Sequence, residues 1–517
     1  MIHCELIAPV GELIRRHAQR TPRKIAYEDR HTSVSYGELE KTTTNLAGHL
    51  QDAGIAAGDS VAIFLPNSVD WVESCFAIVR AGGVAVPISY DATEHEVAYR
   101  IEDAGCKAIF TTDDKADVVA ALQARFPFLK TVFLTEGASK AGGKDGLRYL
   151  DLRSAAAKSL PREAEDIDQS SFIIYTSGTT GRAKGVLLTQ RSMLWVCAAC
   201  WAPIANLNEN DRVLSPLPLF HSYALNLSVL SILAVGASEY IMDKFSTSET
   251  LALLKSGDFT VFPAVPTIFH YLLEGARAEP GCKFPGLRLC LSAGAIMPAP
   301  INKEFEERFG VMLLDGYGIT ETSTMVTLNW QHGTRVMGSC GLPLPGLATR
   351  IVDPSTGLDV ESGQEGELIV RGPNLMKGYH RKPEETAKAL QNGWYYTGDL
   401  ARSDQSGYLT ITGRLKELII RGGQNIAPAE VEEAVSAFES VLDCAVVGAP
   451  HQHLGEVPVV FVVSRPGMTV VEADLLLHCK ERLSSYKLPH AVHVVAEIPR
   501  TGSGKIIRYK LRETLPN

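Results

Sequence analysis

The sequence predicts an α/β protein with a large N-terminal domain, a small β-rich subdomain within it, and a smaller α+β domain at the C-terminus. Helix-like and strand-like patterns alternate over the first 170 residues, as is typical of mostly parallel sheets covered by helices. Short β-like runs separated by Gly, Pro and Asp turns fill residues 330–412, which indicates a β-rich subdomain. Helix-like and strand-like segments return after residue 414. We therefore expect domains over 1–414 and 415–517.

The N-terminal alternation can be followed along the chain. Ser35 and Glu38 have the spacing of a capping box, at the start of a helix that ends before Gly54. The elements expected next are SVAIFL (60–65), a helix over 67–81, AVPIS (85–89), a helix from Glu94, and KAIFTT (107–112). Residues 137–146, rich in Gly, Lys and Ser, are expected to form a surface loop.

Three further strand-like runs occur in the middle of the chain: VLSPLPLF (213–220), FTVFPAVPTIF (259–269) and LRLCLSAGAIM (287–297). In parallel sheets ligands bind at the carboxyl ends of the strands, so the loops after these runs are expected to share one crevice. His221 follows the first run directly.

Shorter strand-like and helix-like runs predict the elements of the β-rich subdomain and of the C-terminal domain. TRIVD, GELIV and YLTIT are the main strand-like runs of the subdomain. The C-terminal domain is expected to contain a helix from Pro428, strands CAVVG and PVVFVVS, a helix near 471–483, and strand HVVAEI.

The bulk composition limits the class of protein. A net charge of −9, from 59 acidic and 50 basic residues, argues against a general binder of nucleic acid or anionic membrane. Ten scattered cysteines indicate reduced thiols, and the CxxC pair Cys197 and Cys200 predicts two buried thiols rather than a zinc site. The N-terminus lacks a signal pattern, and the apolar region 225–237 is too short for a membrane span. We expect a cytoplasmic protein.

The stretch 173–188, IIYTSGTTGRAKGVLL, has the chemistry of a phosphate cradle. Its glycines allow backbone N–H groups to face an anion. The candidate ligands are Thr176, Ser177, Gly178, Thr179, Thr180, Gly181 and Lys184. It is not a Walker A loop, because Ala183 and Gly185 flank the lysine. A polar hairpin turn is the alternative.

YTSGTTGRAKG resembles the nucleotide-phosphate loop of the adenylate-forming superfamily, which comprises acyl- and aryl-CoA synthetases, peptide-synthetase adenylation domains and beetle luciferases. The family usually has Pro where this chain has Ala183. Further motifs carry the resemblance in the correct order: SAGA (292–295), DGYGITET (315–322), YYTGDL (395–400), GRLKELIIRGGQNIAP (413–428) and PRTGSGKIIR (499–508). The resemblance covers roughly residues 10–515.

This resemblance implies an ATP site with Mg²⁺. The phosphate loop is the 176–184 segment, and Thr320 contacts the α-phosphate. Gly294 and Ala295 form a floor for adenine, and Tyr317 stacks on the base. Asp399 and Arg414 hold the ribose hydroxyls, and Glu321 binds Mg²⁺, which suits a hard carboxylate oxygen. Asp315 and Gly316 belong to the same nucleotide-binding set.

The resemblance also implies two half-reactions with ATP, a carboxylic acid and CoA. Lys505, with Thr176, Lys184 and His221, is assigned to formation of an acyl-adenylate. The C-terminal domain then turns about Lys416 and brings Gly422 and Gly423 to the site. Glycines at that point let the pantetheine arm of CoA pass close to the backbone.

The substrate class follows from the candidate acyl pocket, which consists of His221, Leu225, Val265, Met325 and Val326. This lining is mostly apolar, residues 223–227 contain no acid, and 221–232 contain no arginine. A fatty or aromatic monocarboxylate is therefore expected. Three alternatives stay open: an adenylation enzyme that loads a carrier protein, a luciferase-like oxygenase, and a non-catalytic ATP-binding protein.

Overall fold

The computed structural model describes residues 2–135, 147–163, 166–176, 183–422, 424–501 and 504–515. Six predicted site residues lie outside this described part: Ser177, Gly178, Thr179, Thr180, Gly181 and Gly423. The predicted surface loop over 137–146 lies outside it as well.

The α-helices of the described residues are α1 (Val10–Arg20), α2 (Tyr36–Asp52), α3 (Val69–Arg80), α4 (Glu94–Ala104), α5 (Ala116–Arg125), α6 (Tyr149–Ser154), α7 (Gln190–Val196), α8 (Ser222–Ala224), α9 (Ile232–Val235), α10 (Thr247–Ser256), α11 (Pro266–Gly275), α12 (Ala299–Phe309), α13 (Pro383–Ala389), α14 (Pro428–Ser436), α15 (Glu472–Lys480) and α16 (Arg508–Arg512). A π-helical stretch, Cys197–Trp201, continues α7. A second, Leu225–Ser231, joins α8 to α9. We call residues 222–235 the central helix.

The strands are β1 (Ile25–Glu28), β2 (Ser33–Ser35), β3 (Ser60–Phe64), β4 (Val84–Pro87), β5 (Ala108–Thr111), β6 (Thr131–Leu134), β7 (Leu147–Arg148), β8 (Ser170–Thr176), β9 (Lys184–Thr189), β10 (Arg212–Ser215), β11 (Ser238–Ile241), β12 (Val261–Ala264), β13 (Leu289–Ser292), β14 (Met312–Tyr317), β15 (Thr327–Leu328), β16 (Leu342–Pro343), β17 (Ala348–Val352), β18 (Gly366–Arg371), β19 (Gly378–Tyr379), β20 (Leu390–Gln391), β21 (Trp394–Ser403), β22 (Leu409–Arg414), β23 (Ile419–Arg421), β24 (Gln424–Ile426), β25 (Val441–His451), β26 (Gly455–Ser464) and β27 (Ala491–Val494).

Two large sheets form the N-terminal part, and both are mostly parallel. The first has the order β16-β15-β14-β13-β12-β10-β11-β1-β2, and only its edge strands β2, β15 and β16 run antiparallel to their neighbours. The second has the order β19-β9-β8-β4-β3-β5-β6-β7, with antiparallel β9 and β19 at one edge. The predicted α/β class with layered parallel sheets is confirmed.

The main core lies between these two sheets. Helices α1, α2, α3 and α7 and the central helix fill this layer, and their apolar side chains pack on both sheets. Helices α10, α11 and α12 cover the outer face of the first sheet, while α4 and α5 cover the outer face of the second. Local sequence explains several helix starts. The Ser35–Glu38 capping box is present at the start of α2, and Thr93 and Glu96 form another at α4.

Two smaller sheets follow. Strands β17, β18, β20, β21 and β22 form an antiparallel five-stranded sheet within the predicted β-rich region. Strands β23 to β27 form the C-terminal sheet, with α14 and α15 on one face and α16 on the other. The strand predicted over 259–269 is shorter in the structure. It ends at Ala264, because Pro266 occupies the first position of α11, where its fixed φ favours a helix.

The thiols of this chain are nearly all inaccessible. Nine of the ten cysteines are buried, and only Cys4 is exposed. Cys197 and Cys200 lie on the π-helical continuation of α7 and face the main core. Burial raises the pKa of both thiols, so they are packed in the thiol form, as the sequence predicts.

Glu239 is an ionisable residue that lies in the main core, and its effect on the stability of the fold depends on pH. It lies on β11 with 1% of its surface exposed. Burial raises the pKa of its carboxyl well above the ordinary value, although the nearby Ser228 hydroxyl opposes the shift. The pKa of this carboxyl is higher in the folded chain than in the unfolded chain. Its contribution to the free energy of unfolding is therefore greatest below the unfolded-state pKa, and it is lost as pH rises through the folded-state pKa.

Glu239→Gln is therefore expected to stabilise the chain by about 1–3 kcal/mol at pH 8, because the amide carries no charge into the core. The gain is expected to be much smaller at pH 5. Urea unfolding at both pH values measures it. An equal gain at the two pH values would show that ionisation of Glu239 is not the cause.

Candidate active site

The site lies where strands of the first sheet end side by side. In register, Ala264 of β12 lies beside Ser292 of β13, and Ser292 lies beside Asp315 of β14. Val265 and Gly294 lie just after β12 and β13, and Tyr317 is the last residue of β14; all three are predicted site residues. Gly294 has a φ of +89°, a conformation that favours glycine, and Ala295 next to it is exposed.

Asp315 itself is buried, with 6% of its surface exposed. Burial raises the pKa of its carboxyl well above the ordinary value. The next residue, Gly316, is closely packed. A Cβ there would lie 2.6 Å from Met325 Cε and 2.7 Å from the Thr327 carbonyl oxygen. The backbone of β14 is thus closely packed beneath the predicted nucleotide site.

Tyr317, Asp399 and Arg414 form one hydrogen-bonded cluster. Antiparallel pairing of β21 and β22 sets Asp399 opposite Arg414, and Arg414 Nε lies 2.6 Å from Asp399 Oδ1. The Tyr317 hydroxyl donates to Asp399 Oδ2 at 2.5 Å. Asp399 is 2% exposed, and its charge raises the pKa of the Arg414 guanidinium. The structure therefore brings together three residues that the sequence assigned to one nucleotide.

The loop that carries Glu321 has an unusual backbone. A short 3-10 helix spans Thr320–Thr322, and the next two residues have positive φ, 51° at Ser323 and 102° at Thr324. Positive φ at a β-branched residue is strained. Gly318 makes the turn possible, because a Cβ there would lie 1.6 Å from the Thr324 carbonyl oxygen.

Hydrogen bonds from two asparagines hold this strained loop. Asn226 of the central helix donates through Nδ2 to the Ser323 carbonyl at 3.2 Å. Asn374 donates through Nδ2 to the Thr322 carbonyl at 3.0 Å. The hydroxyls of Ser222 and Thr320 lie 3.1 Å apart. The sequence reasoning missed both asparagines, because a buried asparagine leaves no periodic signal.

Glu321, which the sequence predicts to bind Mg²⁺, lies beside Tyr379. Its Oε1 accepts a hydrogen bond from the Tyr379 hydroxyl at 3.0 Å. None of the ion pairs found between described residues involves its carboxylate. The described part of the chain also has no group of three or more metal-ligating side chains. One carboxylate suits Mg²⁺, which takes few protein ligands and shares itself with phosphates and water.

Lys184 and Thr176 are the described ends of the predicted phosphate loop. They lie opposite each other where β8 and β9 pair. Lys184 Nζ lies 2.7 Å from Glu385 Oε2 on α13 and 5.0 Å from the centre of the Tyr379 ring. Sequence reasoning identified the lysine but neither of these two neighbours.

Lys505 comes to this site from the far end of the chain. It is partly buried, and its backbone N–H donates to Thr501 Oγ1 at 3.1 Å. Burial and the Arg414 charge lower the pKa of its ammonium group, while Asp399 and Glu321 act in the opposite direction. The preceding Gly504 packs on Val265, where a Cβ would lie 3.2 Å from Val265 Cγ2.

His221 caps the start of the central helix. Its Nδ1 accepts a hydrogen bond from the Tyr223 backbone N–H at 3.2 Å. Burial lowers the pKa of its imidazole to about 3, and the charge of Lys505 acts in the same direction. The ring is thus neutral at physiological pH, and it adds no positive charge beside Lys505.

The other predicted pocket residues do not all belong to one apolar cluster. Leu225 and Met325 are fully buried in the main core, and Val265 packs against it. Val326 instead packs with Leu368 in the core of the β-rich region. The sequence predicted that these residues line one pocket, but it did not show that Val326 belongs to a different cluster from Leu225 and Met325.

The predicted hinge residue Lys416 and the predicted CoA residue Gly422 lie on the surface. Lys416 is exposed in the 3-10 helix Leu415–Glu417. Gly422 is exposed with a φ of +58°, and its N–H donates to the Leu454 carbonyl at 2.7 Å.

Comparison with known proteins identifies the family. Residues 14–380 match the AMP-binding enzyme family, and residues 430–505 match the AMP-binding enzyme C-terminal domain. The chain belongs to the AMP-binding enzyme family. The predicted resemblance to adenylate-forming enzymes is confirmed, and this AMP-binding enzyme is an acid–thiol ligase of the acyl-CoA synthetase class.

Relatives of this AMP-binding enzyme act on different acids. It is 34% identical over 502 residues to a feruloyl-CoA synthase of Amycolatopsis sp, covering 96% of this chain and 97% of the relative. It is 33% identical over 519 residues to a long-chain-fatty-acid–CoA ligase of Bacillus subtilis (strain 168), with 96% and 92% covered. The solved structure of ATP-bound MatB from Rhodopseudomonas palustris superposes with a TM-score of 0.89 at 32% identity, with 98% and 99% covered.

Among the described residues, no helix of this AMP-binding enzyme combines the length and the apolarity needed to cross a bilayer.

Proposed function

We propose that this AMP-binding enzyme activates a fatty or aromatic monocarboxylic acid with ATP and transfers the acyl group to CoA. The observation that carries the proposal is the position of Lys505. It lies within electrostatic reach of Arg414, Asp399 and Glu321. The ammonium group of Lys505, on the C-terminal segment, thus lies near the residues assigned to binding the ribose and Mg²⁺. Formation of an adenylate requires a positive charge at this place.

In the first half-reaction, a carboxylate oxygen of the acid attacks the α-phosphorus of ATP. The bond from that phosphorus to the bridging oxygen of pyrophosphate breaks, and pyrophosphate leaves with the electron pair. Lys505 stabilises the negative charge on the reacting oxygens, and Thr320 orients the α-phosphate. Asp399 and Arg414 hold the ribose. Mg²⁺, held by Glu321, supplies charge neutralisation at the phosphates when bound.

In the second half-reaction, the CoA sulfur attacks the acyl carbon and the thiol proton passes to solvent. The bond from the acyl carbon to the phosphate oxygen breaks, and AMP leaves with the electron pair. For this step we propose that the unit over 415–517 turns about Lys416 relative to 1–414. This turn withdraws Lys505 and brings the Gly422 hairpin to the site. The exposed position of Lys416 in a short 3-10 helix between two sheets supports a hinge there.

The composition of the central helix favours a substrate acid that carries no charged group besides its reacting carboxylate. Beyond His221 it presents Tyr223, Leu225 and Leu227 to the main core, and its sequence contains no acidic or basic residue. An additional carboxylate or ammonium group on the substrate would be desolvated there without a partner. The body of the acid is therefore apolar.

The test is mass spectrometry of reactions containing ATP, Mg²⁺ and single acids from a fatty and aromatic panel, each with and without CoA. Acyl-CoA formed from one acid class is the expected result. Acyl-adenylate that accumulates equally with and without CoA would contradict the acceptor, and would point to a carrier protein. Turnover only of dicarboxylic or amino acids would contradict the substrate class.

An ion pair across the two units offers a test of the domain turn. Arg465 at the end of β26 pairs with Glu274 of α11, both partly buried. Glu274 also pairs with Arg277, which lies just beyond the end of α11, so Arg465 is the residue to change. Arg465→Ala is expected to slow adenylate formation about two- to fivefold, because one partly exposed ion pair is lost.

The same variant is expected to form thioester from supplied acyl-adenylate at the wild-type rate or faster. Stopped-flow assays of each half-reaction separate the two effects. Arg482→Ala is the control, since Arg482 pairs only locally with Glu481 on the surface. Equal slowing of both half-reactions by Arg465→Ala would argue against a closed state held by this pair.

A further inference from the structure

Lys184 is already engaged by an anion of the protein itself. Its ammonium lies 2.7 Å from Glu385 Oε2 and 5.0 Å from the centre of the Tyr379 ring. Both side chains of the ion pair are partly exposed, at 26% for Lys184 and 36% for Glu385. Part of each side chain therefore contacts solvent, although the Glu385 oxygen that faces Lys184 is itself buried.

Tyr379 fixes the geometry of this pair. Strand β19 pairs with β9, so that Tyr379 lies opposite Val186, two residues from Lys184. The Tyr379 hydroxyl donates to Glu321 Oε1 at 3.0 Å, and its backbone N–H donates to Thr386 Oγ1 at 2.9 Å. One tyrosine therefore contacts the phosphate lysine, the metal ligand and the helix that carries Glu385.

The carboxylate of Glu385 has the chemistry of a phosphate substitute. Hydrogen bonding from Lys184 and its charge keep the pKa of Glu385 below the ordinary value, so the side chain is ionised at neutral pH. It presents oxygen acceptors and negative charge to the ammonium, as a phosphate does. An ammonium group has three donors, so a nucleotide phosphate that binds Lys184 competes with the carboxylate for them.

We propose that Glu385 occupies Lys184 as an internal anion until the β- and γ-phosphates of ATP displace it, and thereby sets the affinity for ATP and pyrophosphate. The inference rests on the proposed function, because it requires the triphosphate at Lys184. Competition lowers the apparent affinity by the fraction of molecules in which Lys184 is held. It also favours release of pyrophosphate after adenylate formation. AMP has no β- or γ-phosphate and escapes the competition.

Isothermal titration calorimetry of Glu385→Gln with ATP, pyrophosphate and AMP tests the proposal. We expect the dissociation constants of ATP and pyrophosphate to fall about two- to fivefold, the range for loss of a partly exposed ion pair. The dissociation constant of AMP stays unchanged. Glu384→Gln is the matched control, because Glu384 is the exposed neighbour on the same helix. Unchanged or weaker ATP binding by Glu385→Gln would overturn the proposal.

The Lys184→Ala background gives an independent check. Without the lysine, adding Glu385→Gln is expected to leave ATP affinity unchanged, since the two effects are coupled. A similar gain in that background would mean that Glu385 acts by general repulsion, and the proposal would fall. A wild-type chain that binds AMP but not ATP would overturn the proposed function and this inference together. An ATP dissociation constant that is the same in Glu385→Gln and in the wild type would overturn this inference alone.

Discussion

Replacing Lys505 by alanine is expected to lower the rate of adenylate formation by about 10²–10³-fold, as for loss of one preorganised charge donor. Lys505 lies within electrostatic reach of Asp399, Arg414 and Glu321, and burial and Arg414 lower the pKa of its ammonium group. A water molecule at this position would not replace a cation held by the surrounding chain. ATP–pyrophosphate exchange with the preferred acid measures this step.

The same variant is expected to convert supplied acyl-adenylate to acyl-CoA at a rate near that of the wild type. The second half-reaction makes no use of the lysine in the proposed mechanism. Lys510→Ala is the matched control, because Lys510 is exposed on α16. If Lys505→Ala slows both half-reactions equally, the lysine has a structural role instead of the assigned one.

Gly318→Ala is expected to disrupt the loop that carries Glu321. The new Cβ would lie 1.6 Å from the Thr324 carbonyl oxygen, so the loop between Gly318 and Thr324 must move. Overpacking costs about 1–3 kcal/mol, and we expect the upper end of that range because the contact is with backbone. Displacement of Glu321 and Thr320 by about 1 Å would lower activity about 10²-fold.

Thermal unfolding and ATP–pyrophosphate exchange measure these two effects of Gly318→Ala. Gly281→Ala serves as the control, since nothing lies within 4 Å of a Cβ there. We expect that control to keep wild-type activity and melting temperature. Wild-type exchange activity in Gly318→Ala would show that the strained turn is not needed to position Glu321.

The large-scale fold could be predicted because its signals are local. A capping box at Ser35, the apolar run of β3 and the proline at the start of α11 each act within a few residues. The length of β12 was overestimated because an apolar run continues across Pro266. Apolar runs do not by themselves separate strand from helix.

The candidate site was predicted through motif resemblance, and that approach has a physical limit. Asp399 and Arg414 stand in recognisable motifs, but only the register of β21 and β22 sets them opposite each other. Tyr379 reaches Lys184 because β19 pairs with a strand almost 200 positions earlier. Such long-range pairing leaves no local pattern in the sequence, so Tyr379 and Glu385 could not be assigned.

The distribution of thiols has a practical consequence. Cys4 is the exposed cysteine, and the other nine are buried, so a maleimide dye should label the native chain at one place. Changing the exposed Lys510 to cysteine adds a second attachment point on α16. A donor and an acceptor dye on these two sulfurs would report the distance between the N-terminus and the C-terminal unit during each turnover.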